Sequence, residues 1–352
     1  MTYLVVVPDD LEPEGLDYLR TRTEIEVYAP GKMSREATLE QVPQAHGLIV
    51  RSGTQVDREL LDHAPNLKAV VRAGVGVDNI DLDACTERGV VVMNAPDGNT
   101  VSTAELAFGL ILALARHIPK ADASVRAGRW DRKLFMGTEL RGKTLGIIGL
   151  GRVGRALAER AQAFGMTELA YDPFVPERLA RHLGLPLVPT VDDLYANADI
   201  ISLHALLTPE TLGMINAQSI AKMKDGVLIV NAARGKLINS ADLAAALRSG
   251  KVGGAAIDVY DVEPPTPDNP LLGLDNVIYT PHLGASTYEA QAAVGIQAAR
   301  QMADYLLDGK VNNVRNKGPE LVEPIPPEEV VGAEGRVDGE GVDGGDGKDR
   351  DR

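Results

Sequence analysis

One stretch narrows the choice of fold more than any other: residues 144–172, TLGIIGLGRVGRALAERAQAFGMTELAYD. It opens with a short apolar run, 145–148, that suits a buried parallel strand. The chain then turns through Gly149, Leu150, Gly151, Arg152, Val153 and Gly154. A helical pattern follows, with Val153, Leu157, Ala161 and Phe164 spaced by three or four and Gly165 placed as a C-terminal stop. A second strand, 168–171, delivers Asp172, 18 residues after Gly154 (172 − 154). That is close to the spacing of roughly 20 residues that dinucleotide binding requires.

Each residue of the turn has a physical task. Gly149 permits the tight turn, Gly151 lets a pyrophosphate approach the backbone, and Gly154 lets helix and strand pack closely. The free N–H groups and macrodipole at the helix start favour a phosphate. Asp172 can accept both ribose hydroxyls of an adenosine and would repel a 2′-phosphate, so the cofactor expected is NAD rather than NADP. A lone G-x-G-x-x-G carries little weight. This one lies between a strand and a helix, with an acid ending the next strand.

The same alternation extends over most of the chain. Apolar strands are expected at 3–7, 24–28, 47–50, 67–71 and 90–94, with helices at 12–20, 34–42, 57–63 and 81–88 between them. After a long apolar helix at 102–117, continuing helically through 121–128, a second set begins. Its strands fall near 145–148, 168–171, 199–203, 227–230, 253–257 and 277–279, and a closing helix runs over 287–307. The fold class is therefore α/β, with two doubly wound parallel-sheet domains. A Rossmann NAD domain, 98–284, is inserted in a discontinuous flavodoxin-like substrate domain made of 1–97 and the returning segment 285–314. Residues 315–352 read as a disordered acidic tail: from 318 on they hold 11 acids, 4 bases, eight Gly and four Pro.

That tail accounts for −7 of the net charge of −14, which leaves the folded part with about −7 and no case for nucleic-acid binding. With aromatic residues at only 4%, the core must be built from aliphatic side chains. Cys85 is the sole cysteine, and no hydrophobic leader opens the chain, so a cytoplasmic setting is expected. The longest apolar run, 106–115, is too short to span a bilayer, so no membrane is expected. Six histidines show no metal-ligand spacing, and no metal is expected.

Chemistry concentrates in three motifs, each just past a strand of the second set: NAARG at 231–235, DVYDVEPP at 258–265 and TPHLG at 280–284. They would bring Arg234, Glu263 and His282 to one crevice at the carboxyl ends of parallel strands. A guanidinium holds a carboxylate bidentately. A histidine beside a carboxylate can work as acid or base near neutral pH. Singly, each residue has an ordinary structural reading; together, beside a dinucleotide fold, they suit oxidation of a 2-hydroxy acid. His204, at a strand end, is read as a structural hydrogen-bonding residue.

With these motifs in hand the chain resembles the D-isomer-specific 2-hydroxyacid dehydrogenases from about residue 3 to 313. The resemblance is specific at RAGVGVDNID (72–81), at 94–116, at 130–155, and at NAARG, DVYDVEPP and PHLGAST (281–287). It implies that Arg234, Glu263 and His282 are the catalytic trio. It implies cofactor contacts at Val75, Arg152, Val153, Asp172, Ala232, Ala233, Asp258, Gly284 and Ala285, beside Gly149, Gly151 and Gly154. The backbone of Gly74, Val75 and Gly76 would hold the substrate carboxylate, and Arg51 and Arg72 a substrate phosphate. Arg132 would reach a neighbouring subunit's cleft, so the partners implied are a phosphorylated hydroxy acid, 3-phosphoglycerate, and a second copy of the chain in a homodimer or homotetramer. Alternatives within the resemblance are a glyoxylate or hydroxypyruvate reductase and, in another class, an NAD-sensing corepressor-like protein. The chain departs from the family pattern at Leu206, where a proline is usual, and at Lys236, where a second glycine is common. The acidic tail stands where many relatives carry a serine-binding regulatory domain, so serine feedback through such a domain is not expected.

Overall fold

Eleven parallel strands form two separate sheets in the computed structural model, which describes residues 2–316. The first sheet contains β1 (Tyr3–Val6), β2 (Ile25–Tyr28), β3 (Gly47–Val50), β4 (Ala69–Arg72) and β5 (Val91–Asn94), in the order β2-β1-β3-β4-β5. This is the flavodoxin-like order, with its reversal between β1 and β3. The second contains β6 (Thr144–Ile148), β7 (Thr167–Tyr171), β8 (Ile200–Leu203), β9 (Val227–Asn231), β10 (Val252–Ile257) and β11 (Val277–Tyr279), in the order β11-β10-β9-β8-β6-β7. Outside β7, Leu187 adds one parallel bridge to Ala170. Counting that bridge as a vestigial third strand restores the Rossmann order, with the reversal between β6 and β8. The expected fold class of two doubly wound parallel sheets holds.

The strands at the centre of each sheet are buried along their whole length, as parallel strands covered on both faces must be: every residue of β3 and β8 is buried. The core is mostly aliphatic, and Phe108 and Tyr195 are the only buried aromatic side chains among the described residues. The long apolar helix Thr100–Ala115 leaves the first sheet and packs with the helix Arg152–Ala163 against the second. It does not run on: His117 takes a left-handed conformation (φ 54°), and a separate helix, Ile118–Arg126, leaves at 64°. Among the described residues no single helix is long and apolar enough to cross a membrane.

The closing helix Tyr288–Asp308 returns to the first sheet, where Ala298, Ala299, Met302 and Leu306 pack with Val5, Val71 and Met93. A Cβ on Gly15, in the helix Pro13–Arg20, would stand 2.7 Å from the carbonyl oxygen of Gly295, so that helix and the closing one meet backbone to backbone. The chain then runs antiparallel beside β5: Val314 bridges Met93, the Arg315 N–H donates to the Val92 carbonyl, and Asn316 accepts from the Val92 N–H. The reading of an acidic tail falls, from residue 317 on, outside the described residues.

Candidate active site

The carboxyl ends of the two sheets face one cleft of about 640 Å³. From the first sheet come Arg51 after β3, Arg72 at the end of β4, and Gly74, Val75, Gly76 and Asp78 after it. From the second come Ala232, Ala233, Arg234 and Lys236 after β9, Glu263 after β10, and His282, Gly284 and Ala285 after β11. Arg234, Glu263 and His282, expected to converge, do line this one cleft.

His282 is half exposed and left-handed (φ 55°), and its N–H donates to the Asp258 carbonyl at 2.8 Å. Asp258 is fully buried. Its carboxylate accepts from Thr280 Oγ1 at 2.6 Å and from the N–H groups of Leu283 at 2.7 Å and Gly284 at 3.1 Å. It thereby fixes the loop that carries His282. His282 Nδ1 and Glu263 Oε2 are 2.6 Å apart, which leaves Nε2 for any proton transfer into the cleft. Burial pushes the Glu263 carboxyl up. The hydrogen bonds from His282 and the Tyr260 N–H, with the charges of His282 and Arg234, outweigh it and hold the group below the usual carboxylate range.

On the opposite wall, the Arg51 N–H donates to Asp9 Oδ2 at 2.6 Å and the Thr54 N–H to the same atom at 3.3 Å. Asn79 Nδ2 donates to the carbonyls of Arg51 (2.7 Å) and Thr54 (2.6 Å), so the loop that presents Arg51 is locked from two sides. Arg72 is largely buried, and its Nε has no hydrogen-bond partner. Burial, followed by the positive charges of Arg234 and Arg51, pushes its guanidinium down to about 10, although Asp78 and Asp9 pull the other way. A buried donor without a partner costs on the order of 1–3 kcal/mol, more when charged, so this spot suits an incoming anion. Asp9, Asn79 and Asp78 escaped the sequence reading. The available signal was position: Asp9 lies just beyond β1 at the reversal of strand order, and Asp78 and Asn79 lie inside the quoted RAGVGVDNID.

The glycine turn sits at the reversal of the second sheet. A Cβ on Gly149 (φ 95°) would be 2.6 Å from the His204 carbonyl, and one on Gly154 would be 2.2 Å from the Gly149 oxygen, so both positions exclude a side chain. Gly151 faces open space and caps the helix start without any side-chain bond. Asp172 Oδ2 accepts from the Leu150 N–H at 2.8 Å and Oδ1 from the Phe174 N–H at 2.9 Å, and each oxygen keeps a further acceptor site. Uncapped amides, open space at Gly151 and an acid at the turn fit a dinucleotide. Arg152 pairs with Asp97 at 2.8 Å, and Val153 packs beneath the turn. His204 Nε2 bonds Ser202 Oγ at 2.8 Å, and burial holds its imidazole down at about 4. Arg132 stands apart, exposed on the short helical turn Arg132–Phe135, and does not line the cleft of its own chain.

These features define a class, and comparison bears it out. Residues 108–284 match the profile of the D-isomer specific 2-hydroxyacid dehydrogenase, NAD binding domain. The chain belongs to the D-isomer specific 2-hydroxyacid dehydrogenase family and carries its NAD-binding domain. Among individual proteins it is 52% identical over 312 residues to the D-3-phosphoglycerate dehydrogenase of Archaeoglobus fulgidus, covering 89% of this chain and 59% of that one. The chain thus spans about three-fifths of the length of such curated relatives. Among solved structures it resembles the NAD+-bound 3-phosphoglycerate dehydrogenase of Entamoeba histolytica, with a TM-score of 0.76, 30% identity and coverage of 91% and 100%. It also resembles a glyoxylate reductase from Paecilomyes thermophila, with a TM-score of 0.79, 31% identity and coverage of 89% and 98%.

Proposed function

We propose that the protein is a D-3-phosphoglycerate dehydrogenase, oxidising 3-phospho-D-glycerate with NAD to 3-phosphohydroxypyruvate, the entry to serine synthesis. The observation that carries the reading is a cleft in which a His–Glu pair faces three guanidinium groups, one of them with a buried Nε that has no partner. In this reading residues 98–284 hold the cofactor, through Gly149, Gly151, Arg152, Val153, Gly154, Asp172 and, nearer the cleft, Val75, Ala232, Ala233, Gly284 and Ala285. Asp258 keeps the His282 loop in place. Residues 1–97 and 285–314 form the substrate domain.

The chemistry follows from the donors. Bound NAD supplies the hydride acceptor. Arg234 grips the substrate carboxylate and carbonyl oxygen, and the backbone of Gly74, Val75 and Gly76 completes the carboxylate site. His282 Nε2 takes the hydroxyl proton as the hydride leaves C2, while Glu263 orients the ring and balances the imidazolium that forms. Arg51 and Arg72 receive the phosphate, whose charge offsets the repulsion among the arginines.

A second copy of the chain belongs to the same proposal. Ile118, Val125, Trp130, Leu134 and Met136, each more than half exposed, form an apolar face on the cofactor lobe, and such a face suits a homodimer. Arg132 lies on that face and would contribute to the partner's phosphate site. The relatives' reaction and the single, buried Cys85 support a cytoplasmic setting.

The test is NADH formation from 3-phosphoglycerate against glycerate, lactate and glycolate. Preference for the phosphorylated acid is expected, with Arg132→Ala damaging only that substrate. Turnover confined to unphosphorylated acids would replace this reading with that of a glyoxylate or hydroxypyruvate reductase.

A further inference from the structure

Arg234 is reached from the other side of the cleft. Asp78, in the loop after β4, places Oδ2 3.1 Å from Arg234 Nε, joining residues 156 positions apart on the two sheets. Arg234 Nη1 donates to the carbonyl of Ala233 at 2.7 Å. The single hydrogen on Nε and one on Nη1 are therefore committed. What remains of the fork is the end edge, both hydrogens of Nη2 and one of Nη1. Nη2 lies close to Gly76, where a built Cβ would be 1.9 Å from it and 2.6 Å from Asp78 Oδ2, so the glycine leaves room for both members of the pair.

Asp78 has no other hydrogen-bond partner among the described residues, and its side chain is 63% exposed, so it is not held for packing. An exposed ion pair is worth little in stability. The neighbouring Asn79 locks the Arg51 loop by two bonds of its own. Adjacent residues of one loop thus serve different ends: Asn79 holds its own wall of the cleft, and Asp78 reaches the opposite one.

We propose that Asp78 is a positioning residue acting through Arg234. By holding Nε from the first sheet, it keeps Nη2 beside Gly76 and leaves the end edge of the guanidinium as the one offered to the substrate carboxylate. A guanidinium offers a carboxylate two alternative edges, and without Asp78 the Nε edge competes with the end edge. The substrate is still gripped, but in a mixture of poses, only one of which aligns C2 for transfer. The loss therefore falls on kcat more than on KM. The inference rests on the reading of Arg234 as the carboxylate-gripping residue.

The experiment is a double-mutant cycle on the full chain with NAD and 3-phosphoglycerate, using Asp78→Ala, Arg234→Gln and both together. Asp78→Ala is expected to lower kcat roughly tenfold with KM within about threefold and NAD affinity unchanged, and Asp78→Asn to fall between it and the wild type. In the Arg234→Gln background, Asp78→Ala should cost no more than about twofold. Equal losses in both backgrounds, or a fully active Asp78→Ala beside a crippled Arg234→Gln, would overturn the role of Asp78 alone. A fully active Arg234→Gln would overturn the reading of Arg234, and this inference with it.

Discussion

The two sheets reverse strand order at equivalent points and treat the exposed backbone there in opposite ways. At the reversal between β1 and β3, Asp9 supplies a carboxylate of its own, which takes the N–H groups of Arg51 and Thr54. At the reversal between β6 and β8, the helix start at Gly151 carries no capping side chain and faces open space. The first sheet fills its anion position from within and spends the resulting rigidity on aiming cations. The second leaves the position free, as a phosphate requires. In the function proposed above, one topology thus yields a wall for substrate and a wall for cofactor, and the choice is made by a few residues at strand ends.

The contrast can be broken from either side. The largest effect is expected on the open side: Gly149→Ala places a Cβ 2.6 Å from the His204 carbonyl at a φ of 95°, costing about 2–3 kcal/mol of stability. Weaker NAD binding should accompany the lower Tm, and isothermal titration would read it. On the filled side, Asp9→Asn keeps an oxygen that can accept from both N–H groups but removes the negative charge that strengthens the two bonds. A loss of about 1–2 kcal/mol is expected. KM for 3-phosphoglycerate should rise while NAD affinity stays put, and an equal change in both would erase the division of labour between the walls.

An effect of similar size, but spread over pH, comes from His204 beneath the glycine turn. Burial holds its folded pKa at about 4, below the unfolded value of about 6.5. As pH falls through 6.5 the unfolded chain takes a proton that the folded chain refuses. Stability from this residue is thus complete above pH 6.5 and declines toward pH 4, by up to about 3 kcal/mol. His204→Asn should flatten that slope in urea titrations at pH 7 and pH 5, with the other histidines left as background.

Periodicity and glycine placement made both sheets legible, because parallel strands buried on both faces write themselves as apolar runs. Arg234, Glu263 and His282 were legible for a related reason, since each follows such a run. Other features were not. The helix break at His117 follows the end of the apolar run at 106–115, but the residues after it still read as helical, and only Pro119 two residues on hinted at the change of direction. The third Rossmann strand is a single bridge at Leu187, too short to show any period. Asp9 and Asp78 act on partners 42 and 156 residues away, and nothing local to an isolated acid names such a partner.

The most direct measurement is single-turnover kinetics of His282→Asn with NAD and 3-phosphoglycerate. Loss of the proton acceptor at Nε2 should cut the rate of the chemical step by on the order of a thousandfold while leaving NAD affinity unchanged. Turnover within about twofold of the wild type would contradict the assignment of His282 as the group that takes the hydroxyl proton.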